Sequence, residues 1–308
     1  MLELSVIIPT HNRAEILKKC LEHLHNSQFP KNKFEIIIID DASTDNTEQV
    51  VTEAKKQNEN IHYFKQKKAG QGVARNFAVT QAKGSVCVLI GDDMFVHKRF
   101  LEEHFRIHKL HPEENFACLG QILWDPDINI SSFMKWLTQE NLFLGRFGGH
   151  QFAYNQLEDR ELADYNFFYT SNLSLKTKLL QKHSFNPWFD SYGWEDIELG
   201  YRLEKKEDLK IIYNPEAITY HHHEICFDSF KDRMISIGRG AIKFQDKHPE
   251  LQKVPTGIKF LIFKLISNPI SIALLKSITK LSKGKTEALY FYALSKKYFL
   301  IGLIEQIS

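Results

Sequence analysis

The sequence has 308 residues, of which 43% are hydrophobic and 25% are charged, and its net charge at neutral pH is +2. These values are close to those of ordinary globular proteins, so they exclude a disordered or collagen-like chain and give no support to general nucleic-acid binding. The four cysteines have no C-x-x-C spacing, and we expect free thiols in a reducing compartment. The first apolar run, Leu4 to Ile8, is too short for a signal peptide or a membrane span, and a cytoplasmic protein is expected.

Short apolar runs alternate with longer amphipathic stretches over the first 120 residues. The apolar runs predict strands at residues 4–8, 34–39, 61–64, 86–90 and 116–123. The amphipathic stretches predict helices at residues 14–24, 45–57, 72–82 and 98–108, the second of them capped by Asp45 and Glu48. Strands that alternate with helices predict an α/β fold, with a mostly parallel sheet and flanking helices.

Polar clusters follow directly on the predicted strands. The clusters are Pro9 to Arg13, Asp40-Asp41, Ala69 to Gly72 and Gly91 to Asp93. The carboxyl ends of parallel strands share one edge of the sheet, and open α/β folds bind their ligands at that edge. The sequence therefore predicts a ligand site there.

The second half of the chain has a less regular pattern. Residues 124–165 are aromatic and poorly periodic, which is typical of a lid or an acceptor platform. The following pattern predicts a strand within residues 169–176, a helix from Glu195, two short strands and an amphipathic helix over about residues 227–247. The first short strand covers residues 210–213, and the second ends in three consecutive histidines.

The tail from Leu251 onward is apolar and basic. It contains nine lysines and two acids, so its net charge is +7 and that of residues 1–250 is −5. Pro269 and Gly284 should divide it into short helices. No uncharged run reaches the roughly 18 residues that a spanning helix needs.

Asp92 and Asp93 are adjacent carboxylates at the end of an apolar strand. Their mutual repulsion is offset most easily by a cation or by hydrogen-bond donors, which favours a metal or ligand site. A turn that caps the following helix explains the same pair equally well.

Glu195 and Asp196 begin a predicted helix. Acids in a first helical turn stabilise the helix macrodipole without any catalytic role. Alternatively, one of these carboxylates is a general base that deprotonates an acceptor hydroxyl.

The three histidines at 221–223 end a predicted strand. Because side chains alternate along a strand, His221 and His223 should share one face and His222 should point away. Imidazole nitrogens combined with carboxylate oxygens suit Mn²⁺ better than Mg²⁺. The run therefore favours a metal ligand over a structural histidine.

Two further segments give less specific signals. Turn and capping chemistry accounts for the acidic and hydroxyl residues at 40–45. The segment from Gly70 to Asn76 is neither G-x-G-x-x-G nor a P-loop, which argues against a dinucleotide dehydrogenase and a P-loop kinase.

In their order and spacing, these segments resemble the family 2 glycosyltransferases. The resemblance spans about residues 4–250 and rests on residues 5–13, 39–45, 72–76, 91–93, 193–196 and 220–221. It implies a GT-A, Rossmann-like fold with a nucleotide-sugar-binding half at 1–120 and an acceptor and catalytic half at 121–250. Residues 251–308 would form a basic amphipathic helical appendage.

The resemblance also implies roles for single residues. The donor would be bound by Pro9, Thr10, Asn12, Arg13, Asp41, Gly70, Arg75, Asp92 and Asp93. Asp41 would accept a hydrogen bond from a pyrimidine base. Gly91 stands at the first position of the family's D-x-D region, which departs from its commonest form and removes one carboxylate near the ribose.

The same resemblance implies the catalytic and metal-binding groups. Asp196 would be the catalytic base, beside Glu195. A divalent metal, Mn²⁺ or Mg²⁺, would be held by Asp93 and His221, with His223 as the alternative ligand.

The expected activity is inverting transfer of a sugar from a nucleotide-diphospho-sugar, with a UDP-sugar as the expected donor, to a glycan or lipid-linked acceptor in cell-surface polysaccharide synthesis. One alternative is a sugar-phosphate nucleotidyltransferase, which should have a glycine-rich basic loop where this chain has Pro9 to Asn12. Another is a non-catalytic nucleotide-sugar or metal-binding module, which would have no use for an acid at Asp196. The basic tail predicts either contact with the anionic inner face of a membrane or packing on the catalytic domain or on a second subunit.

Overall fold

A computed structural model describes residues 2–138, 151–158, 160–189 and 193–307. Part of the predicted lid or acceptor platform, residues 139–150, lies outside the described residues. The described residues contain nine strands: β1 (Leu4–Thr10), β2 (Phe34–Asp41), β3 (Ile61–Gln66), β4 (Val86–Ile90), β5 (Met94–Val96), β6 (Phe116–Trp124), β7 (Leu162–Ala163), β8 (Asn172–Lys176) and β9 (Lys210–His221).

The same residues contain eleven α-helices. They are α1 (Ala14–His25), α2 (Thr47–Gln57), α3 (Gln71–Gln81), α4 (Phe100–Leu110), α5 (Ser132–Leu137), α6 (Thr177–Lys182), α7 (Glu195–Glu207), α8 (Phe227–Lys247), α9 (Gly257–Ser267), α10 (Pro269–Leu281) and α11 (Glu287–Ile307). The strands and helices predicted over the first 120 residues are all present, with ends shifted by a few residues at most.

All nine strands belong to one sheet with the order β3-β2-β1-β4-β8-β6-β9-β5, and β7 also pairs with β9. Strands β1 to β4, β6 and β9 run in one direction, whereas β5, β7 and β8 run in the other. The predicted α/β class with a mostly parallel sheet is therefore confirmed. Every residue of β1, β2 and β4 is buried, as expected for strands covered on both faces.

Strand β9 is continuous, so the prediction of two short strands in this region is wrong. Its pairing with β6 shifts register between Gly120 and Gln121, which pair with Asn214 and Ile218, and residues 215–217 form a bulge. Pro215 lies in this bulge, where it does not interrupt the ladder. The predicted break after Tyr213 is thus an irregularity within one strand.

Helix α2 begins at Thr47, two residues after the predicted start. The Asp45 carboxylate accepts hydrogen bonds from the backbone amides of Ala14 and Thr47, at 3.1 Å each, and from the Thr47 hydroxyl. Asp45 therefore lies in the loop before α2, and its carboxylate links the first residue of α2 to the first residue of α1.

In the tail, Pro269 begins α10 as predicted, but α11 has 21 residues and is not a short helix. A Cβ atom on Gly302 would overlap the carbonyl oxygen of Ile235, so glycine allows the backbones of α8 and α11 to approach closely. No described helix can cross a bilayer by length and composition alone. Helices α9 and α10 meet those criteria only as a pair, with a bend of 58° between them.

The described backbone forms two compact units. The first is built from residues 1–128, 157–190 and 195–223 and contains the whole sheet. The second is built from residues 129–156, 191–194 and 224–308 and contains α5 and α8 to α11. The domain boundaries at residues 120 and 250 stay predictions.

Candidate active site at the carboxyl edge of the sheet

The ends of β1 and β4 are joined by buried polar contacts. The Thr10 hydroxyl donates a hydrogen bond to Asp92 Oδ2 at 2.8 Å. Arg13 Nη1 donates to Asp92 Oδ1 at 2.8 Å and to Asp93 Oδ2 at 2.9 Å. A Cβ atom on Gly91 would lie only 2.7 Å from Asp93 Oδ1, so the glycine leaves room for that carboxylate. The predicted convergence of polar clusters at this edge is present.

The two aspartates differ in charge. Burial raises the pKa of Asp92 to about 7, and the neighbouring Asp93 charge acts in the same direction. Burial also opposes ionisation of Asp93, but His221 and Arg13 outweigh it and hold the pKa of Asp93 well below its usual range. The pair therefore carries its negative charge mainly on Asp93.

The histidines at the end of β9 alternate as predicted. His221 Nε2 lies 3.3 Å and His223 Nδ1 lies 4.0 Å from Asp93 Oδ2, and the two rings are stacked. His222 points elsewhere: its Nδ1 lies 2.7 Å from Asp125 Oδ2. Strand β5 follows Asp93 immediately and pairs Met94 with His221, which places this carboxylate beside the histidines.

Asp93, His221 and His223 supply one carboxylate and two imidazoles around a single oxygen atom, a donor set that suits Mn²⁺. In the described residues, no three His, Cys, Asp or Glu side chains are already arranged as a metal centre. The Arg13 guanidinium lies among these groups, and its Nη2 is 3.0 Å from His223 Nδ1. The residues fit a divalent cation in their chemistry, and Arg13 supplies positive charge at the same place.

Arg75 connects the two acidic parts of the site. It is 2% exposed, and its Nη2 donates to Gln71 Oε1 at 3.2 Å. Its Nε and Nη1 atoms have no hydrogen-bond partner within the described part of the chain. Burial lowers the pKa of Arg75, while the charges of Glu195, Asp196 and Asp92 act to raise it. A buried cation with two free donors suits an anionic ligand.

Asp196 lies in the first turn of α7. Gly193, with φ of 100°, and Trp194, with φ of 76°, turn the chain immediately before this helix. Burial raises the pKa of Asp196 to about 7, and the adjacent Glu195 reinforces the shift. The Glu195 Oε2 atom is itself buried, with no partner among the residues described. Asp196 thus has the proton affinity of a general base near neutral pH.

The remaining predicted donor-binding residues lie at the carboxyl ends of β1 and β2 and in the loops before α1 and α3. The Asp41 carboxylate accepts hydrogen bonds from Gln66 Nε2 and from the backbone amides of Ala69 and Gly70, at 2.8–2.9 Å. Gly70 has φ of 89°, which allows the turn into α3. Asp41 therefore shapes this loop, and its contact with a nucleotide base stays a prediction.

The loops that follow β1 and β2 meet at Asn12, which has φ of 54°. Its backbone amide donates to Ser43 Oγ at 2.8 Å, and its side-chain oxygen accepts from the Thr44 amide at 2.7 Å. Pro9 is the penultimate residue of β1, opposite Ile39 of β2. The donor-binding residues predicted from the sequence thus all lie in the first compact unit.

Trp124 and Asp125 belong to the site but are absent from the sequence prediction. The Trp124 ring stacks on His221 with centroids 5.3 Å apart, and Asp125 holds His222. Trp124 ends β6 and pairs with His221 of the parallel strand β9. Trp124 lies at the carboxyl end of a strand, as the predicted polar clusters do. This position could have identified it as a site residue from the sequence.

Comparison with known proteins identifies the family. The sequence profile described as Glycosyl transferase family 2 matches residues 5–163, just over half of the chain. The chain belongs to glycosyl transferase family 2. It is therefore a glycosyltransferase that uses a nucleotide-sugar donor, and this membership argues against the nucleotidyltransferase alternative.

Among family 2 relatives, a Methanococcus voltae protein is named dolichyl N-acetyl-alpha-D-glucosaminyl phosphate 3-beta-D-2,3-diacetamido-2,3-dideoxy-beta-D-glucuronosyltransferase. It is 27% identical over 98% of this chain and 97% of its own length. The Staphylococcus aureus poly(ribitol-phosphate) beta-N-acetylglucosaminyltransferase TarS is 34% identical, but over 33% of this chain and 18% of that protein.

Solved structures share the fold of this family 2 chain. The mannosyltransferase PcManGT from Pyrobaculum calidifontis, in complex with GDP-Man and Mn²⁺, aligns with a TM-score of 0.67 and 16% identity over 99% of this chain and 87% of that one. S. aureus TarS 1-349 in complex with UDP-GlcNAc aligns with a TM-score of 0.55 and 18% identity over 99% and 91%. The predicted GT-A fold with C-terminal helices is confirmed.

Proposed function

We propose that this family 2 enzyme transfers a sugar, with inversion, from a UDP-sugar to a hydroxyl group of a glycan or lipid-linked acceptor in cell-surface polysaccharide synthesis. The observation that carries the proposal is the Asp196 carboxylate, whose pKa is raised to about 7 and on which the positive charge of the buried Arg75 acts. A proton acceptor near neutral pH and a buried cation suited to a phosphate-bearing donor together support this reaction.

The reaction is a single displacement. Asp196 takes the proton of the acceptor hydroxyl while that oxygen forms a bond to the anomeric carbon. The bond between the anomeric carbon and the diphosphate oxygen breaks on the opposite face, and the electron pair leaves with the nucleoside diphosphate. Attack and departure on opposite faces invert the anomeric configuration.

The leaving diphosphate gains negative charge, and Arg75 has two donors available to bind it. Asp93 and His221, with His223 as the alternative ligand, would hold a divalent cation. When bound, that cation supplies Lewis-acid stabilisation of the leaving group, worth several kcal/mol in typical enzymes. PcManGT was solved with Mn²⁺, which supports the choice of metal.

Donor and acceptor classes are supported by the relatives. TarS was solved with UDP-GlcNAc, in line with a UDP-sugar here. The M. voltae relative is named for a dolichyl-linked sugar phosphate and TarS for poly(ribitol-phosphate). A lipid-linked or polymeric glycan is therefore the acceptor class that we propose.

The test is a panel of UDP-, GDP- and TDP-sugars incubated with the purified full-length protein and Mn²⁺. We expect nucleoside diphosphate release from one or a few UDP-sugars, thermal stabilisation by UDP, and loss of both on addition of EDTA. Asp93→Ala should lose the Mn²⁺-dependent release. An acceptor product whose anomeric configuration is inverted, observed by NMR, would establish the stereochemistry.

Other outcomes discriminate between the alternatives. Pyrophosphate release from UTP and a sugar phosphate would identify a nucleotidyltransferase. Stabilisation by UDP-sugars without release of nucleoside diphosphate, with or without glycan acceptors, would indicate a non-catalytic binding module. Release from GDP-sugars alone would overturn the UDP assignment and leave the mechanism unchanged.

A further inference from the structure

Two helices of the second compact unit carry apolar side chains that are exposed in the part of the chain that the structure describes. Twelve large hydrophobic residues are exposed in the described part of the chain, and eight of them lie on α9 and α10. They are Ile258, Leu261, Ile262, Leu265, Ile270, Leu274, Ile278 and Leu281. Several are more than two-thirds exposed, for example Ile258 at 77% and Leu281 at 85%. We name these eight side chains the outer apolar face.

The outer apolar face is regular along each helix. Its α9 members have the spacing i, i+3, i+4, i+7, and its α10 members have the spacing i, i+4, i+8, i+11, so each set forms one stripe. Phe260 and Phe263 of α9 point the other way and pack against the core formed by Ala241, Leu300 and Leu303. One face of helix α9 therefore packs on this core, and a second apolar face of the helix is exposed.

The helices that carry this face are rich in positive charge. Residues 251–286 contain no acid, and six exposed lysines lie within them: Lys259, Lys264, Lys276, Lys280, Lys283 and Lys285. At helical spacing, Lys259 and Lys264 fall on opposite flanks of the α9 stripe. Their ammonium groups lie 6.0 Å and 5.4 Å from the ring centroids of Phe263 and Phe260. A second copy of this face would bring like charges together, which disfavours self-association through it.

An apolar stripe flanked by lysines complements a surface that has an apolar interior and anionic headgroups. We propose that α9 and α10 dock on an anionic lipid bilayer, with the outer apolar face inserted at the headgroup boundary and the lysines among the headgroups. The proposal goes beyond sugar transfer, and binding alone tests it. Docking would also bring the enzyme to a lipid-linked acceptor, a consequence that rests on the proposed function.

The test is flotation of the full-length protein with vesicles of phosphatidylcholine alone or mixed with phosphatidylglycerol. We expect binding to the anionic vesicles at low salt, weakened as salt rises, and little binding to the neutral ones. Lys259→Gln/Lys264→Gln, which removes the two lysines that flank the α9 stripe, should lower the partition coefficient on the order of tenfold or more, since each lysine near the surface contributes about fivefold. Leu261→Gln/Leu265→Gln should also abolish most of the binding.

Matched substitutions elsewhere provide the controls. Leu110→Gln removes a side chain that is 62% exposed on α4, and Lys18→Gln/Lys19→Gln removes two exposed lysines of α1. These variants should float like the wild type. Truncation of the tail is unsuitable because it would also remove α11, which packs closely on α8.

Equal binding to neutral and anionic vesicles, or no binding to either, would overturn the proposal. So would full binding by both tail variants. A concentration-dependent dimer that Leu261→Gln/Leu265→Gln dissociates, in a protein that ignores vesicles, would assign the face to a second copy. Donor hydrolysis by the tail variants in detergent-free buffer separates a failure of docking from a failure of the proposed activity.

Discussion

At the scale of single residues, Asp93 is the group on which the metal assignment depends. It is buried, it holds its charge, and it accepts contacts from Arg13 and His221 on one oxygen atom. A divalent cation bound there would exchange the guanidinium contact for a metal–oxygen bond while the imidazoles supply nitrogen ligands. His222 faces Asp125 and serves as an internal comparison.

We predict that Asp93→Ala abolishes Mn²⁺ binding, because it removes the charged ligand. His221→Ala should weaken the affinity for Mn²⁺ about tenfold or more, and His222→Ala should change it little. Titration of Mn²⁺ into these three purified variants and into His223→Ala, followed by electron paramagnetic resonance, measures this. If His222→Ala is as damaging as His221→Ala, the ligand assignment is wrong; if His223→Ala is the damaging change, His223 is the ligand and the mechanism stands.

A second residue-scale prediction concerns the stability cost of the catalytic base. The pKa of Asp196 is raised from 3.8 to about 7 in the folded protein, so the folded state binds a proton that the unfolded chain releases between about pH 4 and 7. The cost of the buried charge is therefore complete above pH 7 and declines as the pH falls towards 4.

Asp196→Asn removes that charge and should increase the free energy of unfolding at pH 8 by up to about a few kcal/mol, and so raise the melting temperature. The gain should be smaller at pH 5. Thermal unfolding of both proteins at the two pH values gives the comparison. An equal effect at both pH values, or destabilisation at pH 8, would contradict the raised pKa.

At the scale of elements, the bulge in β9 is held by a buried side chain of β8. Asn172 is fully buried, and its amide donates to the carbonyl oxygens of Gln121 and Ala217 at 2.9 and 2.8 Å. Its oxygen lies 2.9 Å from His104 Nε2, and burial lowers the pKa of His104 to about 4, so this histidine is neutral at physiological pH. The network fixes the register that places His221 at the end of β9.

Asn172→Ala should therefore destabilise the fold by about 1–3 kcal/mol, because it removes the hydrogen bonds of Asn172 to the Ala217 carbonyl oxygen and to buried His104. Asn115→Ala is the matched control, since the half-buried Asn115 donates one solvent-exposed side-chain hydrogen bond to the Asp208 carbonyl oxygen, and the substitution should cost about 0.5 kcal/mol or less. Chemical denaturation measures both. Similar values for the two variants would show that the bulge does not depend on Asn172.

The strands and helices differ in how far the sequence could predict them. Strands β1, β2 and β4 are buried on both faces and read as unbroken apolar runs, so their positions were predictable. The bulge at Pro215 was not, because a local polar stretch does not show that its two sides pair with the same neighbour. The start of α2 was misplaced because Asp45 caps through tertiary contact with Ala14.

The site also contains some features that the sequence could predict and others that it could not. The rule that ligands bind at the carboxyl edge of the sheet located Thr10, Asp41 and Asp92 from the sequence, and strand alternation separated His222 from its neighbours. The partnership of Arg13 with both aspartates and the stacking of Trp124 on His221 join residues about 80 to 100 positions apart. No local pattern records such contacts, so they required the structure.

At the scale of the whole molecule, the helices of the tail fit different alternatives that its sequence left open. Helix α11 packs closely on α8, in line with the packing alternative. Helices α9 and α10 each keep an exposed apolar stripe, and they carry four of the tail's nine lysines, in line with the membrane alternative. A cytoplasmic enzyme held at the inner face of a membrane stays a proposal, which the flotation experiment addresses.

The central claim is that this family 2 chain is a catalytic transferase whose base is Asp196. The most direct measurement compares wild type, Asp196→Asn and Glu195→Gln for donor affinity and for single-turnover transfer with the UDP-sugar found in the panel. Asp196→Asn should bind the donor within about twofold of wild type and transfer at least ~10²-fold more slowly, because it loses only the proton acceptor. Transfer by Asp196→Asn at a rate near that of wild type, or a loss confined to Glu195→Gln, would contradict the claim.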